Sequence, residues 1–438
     1  MLFLACGEAE VIIHDEGYNK ERELSNNYQL LKAYFYHPER IKEYKEYRGM
    51  DSIDLMYESL KDYFCGANHL GVCYDRYTYY LPPKKSDDKI NDIENTKKYH
   101  SFGFERGRVV NDGKPVDTLI VSAVYPISPA FNAGLKKRDK LLLANGISLT
   151  EKNASDYLKN DDLFENSTTF TVSRNGKIET LLPMQKKDVP KPTVYLDSLG
   201  NIPFIKVTEY KVSTNNPNGT YAEFKKILQE IKNAKTAIMD LRNNGGGNIG
   251  HCTAMAAELV PLDKELVYDV QHRYDSKKGN VIETQHIFAR NYLKQEGAGI
   301  NINWVIMMNN GSASCTERFI AAVKHNRPEM QLIGQTSYGK GIGQVYTKTY
   351  LGGLAYITSL QTFYPNGKTF HNVGIKPDIL AESEDIYDKA LKAAQGFSMA
   401  KFSSTPIRPE TLPPERLAEN MEPGAHRRIE MPLFHQWE

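Results

Sequence analysis

Two stretches of this chain share one plan, and that plan limits what the chain can fold into. Each is an apolar run, then a tight turn of small residues, then an amphipathic helix. The first is TAIMDLR followed by NNGGGNIGH, residues 236–251. The second is NWVIMMNNGSASCTERFIAAVKH, residues 303–325. Apolar runs bounded by turns read as buried strands, and helices between them point to an α/β arrangement. NIPFIKVTE and MQLIGQT add further strands, and AEFKKILQEIKNA a further helix, so the α/β region extends from about Val194 to Ala394.

The glycine turn admits two chemical readings. Gly245, Gly247 and Gly250 fit G-x-G-x-x-G after a strand, the spacing of a dinucleotide-binding turn. Asp263 and Glu265 fall about twenty residues on, where a ribose partner belongs. The same glycines can instead bring backbone N–H groups up to a developing oxyanion. In the second stretch, Ser314 heads a helix, where open N–H groups favour negative charge. It is either a nucleophile or a plain helix cap. Lys340 lies between glycines in SYGKGIGQ. It reads as a surface lysine in a turn or as a base made neutral by desolvation. Gln344 is placed to bond that lysine or to cap a turn.

Elsewhere the pattern changes. A chain of 438 residues predicts two to four structural units, and 40% hydrophobic with 25% charged residues predicts a globular protein. No run approaches the roughly eighteen apolar residues of a membrane span. A net charge of +1 offers no bulk reason to bind nucleic acid. Residues 20–80 read as helical and packed by tyrosines, with the prolines of YDRYTYYLPP stopping any helix. KKSDDKINDIENTKK reads as a solvated linker. From His100 to Lys187 short alternating strands take over, with Asn175-Gly176 as a hairpin turn and SPAFNAGL and NASDYLKN as short helices. KKDVPKPT reads as a second linker, and residues 398–438, rich in proline and charge, as disordered.

The five cysteines, Cys6, Cys65, Cys73, Cys252 and Cys315, show no zinc spacing and no C-x-x-C pair, so no metal is expected. Cys65 and Cys73 are either a bridge or two buried thiols. MLFLACGE resembles the end of a bacterial lipoprotein signal, with Cys6 as the lipidated residue; the positive region and most of the apolar region before it are missing, so either the start is trimmed or the resemblance is chance.

DLRNNGGG, GSASCTE, GKGIGQ and YPNGKTFHNVGIKPD, in that order, resemble the C-terminal processing peptidases, also called tail-specific proteases. HSFGFE through SPAFNAGLKKRDKLLLANGISL resembles the family's PDZ domain. The resemblance implies an α+β multidomain chain: a leader or tether at 1–19, a helical region with linker at 20–98, and a PDZ domain at 99–187. A peptidase core of the Clp/crotonase type would follow at 188–397, then the tail. It implies a serine-lysine peptidase with no cofactor, with Ser314 as nucleophile, Lys340 as general base and Gln344 orienting it. Backbone N–H groups of Cys315 and of Gly246 or Gly247 would form the oxyanion hole. Phe102, Gly103 and Phe104 would hold the substrate's terminal carboxylate, the alternative being a core role for the two phenylalanines. His251 and His371 flank motifs and are expected to be structural. Four positions depart from the family pattern: Gly245 stands for proline, Cys315 and Thr316 for alanine and serine, and Arg138 for glycine. The expected partners are protein C-termini, with a membrane tether through Cys6, a periplasmic location and a homodimer through the helical region. An inactive PDZ-bearing scaffold is the alternative function, and a nucleotide-dependent oxidoreductase the third.

Overall fold

The computed structural model describes residues 16–61, 75–111, 114–150, 153, 167–275 and 277–399. Cys6, Cys65, Cys73, most of NASDYLKN and the tail lie outside them. The α/β region forms a six-stranded sheet in the order Val194–Leu199, Ile202–Val207, Thr236–Asp240, Asn303–Met308, Gln331–Gly334 and Ile379–Leu380. All neighbours are parallel except the first pair, a hairpin. Thr236–Asp240 is buried along its whole length, as a parallel strand covered on both faces must be. Helices Gly219–Ile231, Ile249–Ala257 and Cys315–Asn326 pack on one face around Met239, Trp304 and Phe319. Helix Ile386–Met399 covers the other face through Ile386, Ala390 and Ala394.

A second sheet is antiparallel and runs Tyr79–Leu81, Leu354–Phe363, Glu265–Asp275 and Gly279–Phe288, with Ile342–Lys348 also paired to Leu354–Phe363. The N-terminal helix Glu16–Tyr34 does not stand apart. Its Leu24 and Leu31 share one buried cluster with Ala355 and Ile357 of this sheet.

The small β unit is a six-stranded antiparallel sheet containing Phe104–Asn111, Lys114–Val124, Lys140–Ala144 and the hairpin Phe170–Arg174/Lys177–Thr180. Asn175 and Gly176 both take positive φ, 50° and 81°, as a two-residue turn requires.

Both expected linkers are wrong. Pro83–Glu94 is a helix. Pro83 opens it at the first helical position, where its missing N–H costs nothing, and Ser86 and Ile93 supply the buried face. Lys187–Pro190 is a strand paired with Lys98–Ser101. The chain entering the β unit thus zips against the chain leaving it, a contact that no local pattern announces.

Candidate active site

The two strand-turn-helix units meet at their turns. Parallel neighbours Thr236–Asp240 and Asn303–Met308 end side by side, so their loops leave the same sheet edge together. In open α/β sheets that is where ligands bind. Side-chain clasps hold the loops against each other. Asn309 Nδ2 donates to Asn243 Oδ1 at 3.0 Å, and Ser312 Oγ donates to the Leu241 carbonyl at 2.9 Å. The Ala313 N–H and Thr316 Oγ1 both donate to the Asn244 carbonyl, at 3.0 and 2.9 Å. Gly246 must be glycine. A Cβ there would lie 2.9 Å from the Ala313 carbonyl oxygen and from Ser314 Cβ, and φ is +100°. At Gly247 a Cβ would fall 2.0 Å from the Tyr210 carbonyl oxygen.

Ser314 is the conformational outlier of the site, with φ 59° and ψ −117° at the head of helix Cys315–Asn326. An L-residue in this region is held under strain of about 1–3 kcal/mol, and such residues cluster at functional sites. Its Oγ is buried and makes no hydrogen bond among the described residues, so the hydroxyl does not cap the helix. The Ser314 N–H donates to Glu317 Oε2 at 2.9 Å. Of the two expected oxyanion glycines, Gly246 donates its N–H to Asn244 Oδ1 at 3.0 Å. The Gly247 and Cys315 N–H groups make no such bond among the described residues, which singles out Gly247. Cys315 is bonded to Cys252 as a disulfide, with the Cα atoms 5.9 Å apart. That bridge joins the helix after the glycine turn to the helix after Ser314. It also removes Cys315 as a thiolate nucleophile.

Glu317 ties the serine segment to the lysine segment. Its Oε2 accepts from the N–H groups of Ser314 and Lys340 (2.7 Å), and its Oε1 from Gly339 N–H at 2.6 Å and Ser337 Oγ at 2.5 Å. Burial pushes this carboxyl up to about 7, although the four hydrogen bonds pull the other way. Sequence reasoning passed over Glu317. Its signal was present, since a glutamate three residues after a serine at a helix start is the capping-box spacing.

Lys340 is buried near Ser314, and both line one hollow. Its ammonium sits over the Tyr77 ring, 4.3 Å from the centroid, rather than on the serine. Gln344 does not hold it. Its Nε2 donates to Thr358 Oγ1 at 3.1 Å, and its Oε1 is buried without a partner among the described residues. Thr358 Oγ1 in turn donates to Asp75 Oδ1 at 2.8 Å, and Asp75 accepts the N–H groups of Tyr77 and Thr78. Burial raises the Asp75 pKa. The N-terminal segment therefore supplies a wall of the site. YDRYTYY carried that role without a sign beyond Asp75 two residues before Tyr77, the spacing of a side-chain-stabilised turn.

The remaining expected residues fall in three places. His251 Nδ1 accepts the Tyr221 N–H at 3.1 Å, and burial lowers its pKa to about 4, which keeps it neutral. His371 Nδ1 accepts the Gly341 N–H beside Lys340. In the small β unit, Phe102 is buried and meets Phe170 edge-on. Phe104 is half-buried against the same cluster. The Gly103 N–H donates to Ser101 Oγ at 3.3 Å, and a Cβ on Gly103 would strike Ser128. Glu265, the ribose partner of the dinucleotide reading, bonds His286 at 2.7 Å on the second sheet instead.

Comparison with known proteins gives one family. Residues 201–381 match the model of peptidase family S41. A probable CtpA-like serine protease of Staphylococcus aureus (strain COL) is 28% identical over 273 residues, 62% of this chain and 51% of the relative. The carboxy-terminal processing protease CtpA of Bacillus subtilis (strain 168) is 27% identical over 292 residues, 65% of this chain and 58% of the relative. The chain thus spans about half the length of the staphylococcal relatives it matches. Among solved structures, the photosystem II D1 C-terminal processing protease covers 84% of this chain and 93% of its own, with TM-score 0.46 and 17% identity. The matched segment contains every strand of the six-stranded sheet but the first, together with Ser314, Glu317 and Lys340, and by that segment the chain is similar to peptidase family S41.

Proposed function

We propose that this chain is a serine endopeptidase in which Ser314 attacks the scissile carbonyl and Lys340 takes its proton. One observation carries the reading. A strained, buried, unbonded serine hydroxyl stands at a helix head, and one carboxylate holds its main chain to that of Lys340. Two buried oxygens, Ser314 Oγ and Gln344 Oε1, lack partners among the described residues. A swing of the Lys340 side chain off Tyr77 toward them would assemble base, nucleophile and orienting amide together. Catalytic hydrogen bonds are often loose until substrate binds. The neutral amine accepts the hydroxyl proton and passes it to the leaving amine. Water then repeats the attack on the acyl-serine and restores both groups. The Gly247 and Cys315 N–H groups receive the oxyanion. Base assistance of this kind contributes about 10²–10⁴-fold and an oxyanion donor about 10²–10³-fold.

The substrate class follows from the relatives' names and from the small β unit, which we read as a PDZ domain that presents protein C-termini to the core. The placement of the Lys340 ammonium over Tyr77 rather than on Ser314 Oγ is the one observation that favours an inactive scaffold instead. Incubation of the full chain with casein and with a peptide-tailed protein decides between them. Cleavage by the native chain, with loss in Ser314→Ala and in Lys340→Ala, is the expected result. Because the two residues act as one unit, the double variant should lose no more than either single. No cleavage by the native chain would favour the scaffold, and full activity in Lys340→Ala would remove lysine as the base.

A further inference from the structure

Beside Ser314 lies a small hollow walled by Ile249, Ile342 and Phe370, with Thr362 and Arg318 at its polar side. Its free volume is about 190 Å³ with the open mouth included, but the cavity proper is only about 10 Å³. That is room for about one water, or for one or two side-chain atoms.

Arg318 is the unusual member. It is only 2% exposed, yet it carries a full charge. Its Nε donates to Thr253 Oγ1 at 2.9 Å. Its Nη1 donates to Asp269 Oδ1 and to Thr362 Oγ1, at 2.5 and 2.8 Å. Its Nη2 is buried with no partner among the described residues. A buried guanidinium N–H without an acceptor is costly, so it marks a place where a ligand atom can be gained.

The chemistry of that atom is constrained. Asp269 already neutralises Arg318, so a second carboxylate would bring an uncompensated charge into a buried site. A large apolar side chain would not fit and would leave Nη2 unpaired. A small neutral acceptor meets both conditions, and among amino-acid side chains that is a hydroxyl of serine size.

We propose that this hollow receives the side chain of the residue whose carbonyl Ser314 attacks, and that Arg318 makes it select serine over alanine and over larger apolar residues. The proposal rests on the peptidase reading of Ser314. Arg318 touches substrate here and sets specificity, while the proton transfers remain with Lys340.

The test uses the full chain and a set of matched peptides that differ only at the residue before the scissile bond: serine, threonine, alanine, valine, leucine and aspartate. Mass spectrometry identifies the cut bond and gives relative kcat/KM. A site built to bond a hydroxyl rejects the analogue that lacks it, so serine should exceed alanine by about tenfold or more. Leucine and aspartate should trail alanine. Arg318→Lys keeps a cation for Asp269 and removes the fork, so the serine-to-alanine ratio should fall toward one whatever the absolute rate. Should that variant not fold, Ile342→Ala enlarges the hollow and should raise valine and leucine relative to serine. Equal rates for serine and alanine, a preference for leucine, or selectivity only at the residue after the cut would each overturn this assignment and leave the peptidase standing. Failure to cut any peptide in the set, by a chain equal to its Ser314→Ala variant, would overturn the peptidase reading and this inference with it.

Discussion

Glu317 shows how one side chain can serve both halves of a site. As a carboxylate it accepts from four donors, two of them the main-chain N–H groups of Ser314 and Lys340, the proposed nucleophile and base. Burial lifts its pKa from about 4.5 to about 7. Below about 7 it takes up a proton and becomes a weaker acceptor in a ring of donors, so kcat/KM should rise with pH through that value. Stability should move the opposite way. With the folded pKa above the unfolded one, the contribution is full below about 4.5 and is lost as pH rises to about 7. Glu317→Gln puts an N–H among N–H donors, at a cost of about 1–3 kcal/mol, and removes the titrating group. Its activity should fall at every pH and its pH profile should lose the limb near 7. An unchanged limb in the variant would mean that another group titrates there. The turns marked Ser314 and Lys340 as candidates with two readings each, and Glu317, which was passed over, had only its capping-box spacing to announce it. Tyr77 was not legible, because a ring over an ammonium from more than two hundred and fifty residues away leaves no local pattern.

Two helices carry the N–H groups proposed to receive the oxyanion, Ile249–Ala257 by way of its glycine turn and Cys315–Asn326 at its head, and the Cys252–Cys315 bridge joins them. The cysteines are 63 positions apart, so a chain-entropy estimate of the bridge is about 4 kcal/mol. Cleavage by a dithiol reductant should therefore lower the melting temperature. It should also lower kcat more than it raises KM, because the Cys315 N–H is a donor that acts on the transition state. Cys252→Ala should reproduce both effects and abolish the response to reductant. Activity indifferent to reductant, in protein whose thiols have been shown to be free, would detach the bridge from catalysis. The strands and helices of this region could be read in advance because their apolar runs are long and regular. The pairing of cysteines could not, since spacing alone does not say which turns meet.

The β unit is attached to the core by the paired strands Lys98–Ser101 and Lys187–Pro190 and by polar contacts at its edge. Lys137 reaches Asp197 at 2.8 Å and the Leu196 carbonyl at 3.1 Å, and Arg138 donates to Ser198 Oγ at 3.0 Å. Arg138 accepts φ 73° to do so, at a turn position where glycine would be unstrained. The Lys137 and Arg138 contacts are partly exposed and ionic, so salt should weaken this part of the docking. If the β unit presents C-termini to the core, a free-acid substrate should be cut faster than its C-terminally amidated twin, and the advantage should shrink as salt rises. Equal rates at low salt would show that the tail is not what this unit reads. Gly103→Val is unsuitable as a control, because its Cβ would sit 2.2 Å from Ser128 Cβ and disturb the fold.

The amino-acid sequence by itself determined the strand-turn-helix units and the glycines of the first turn, and it placed Ser314 and Lys340 in turns without fixing a role for either. Those features depend on apolar period, turn chemistry and residue type, all of which act over a few neighbours. Tertiary structure alone decided that Tyr77 covers the base, that Cys252 meets Cys315, and that the two apparent linkers are a helix and a strand. Charged, apolar-poor segments such as 84–98 and 186–193 have little reason to order alone. They order here because a buried Ser86 and Ile93, and a partner strand, give their backbone something to pay for its lost entropy.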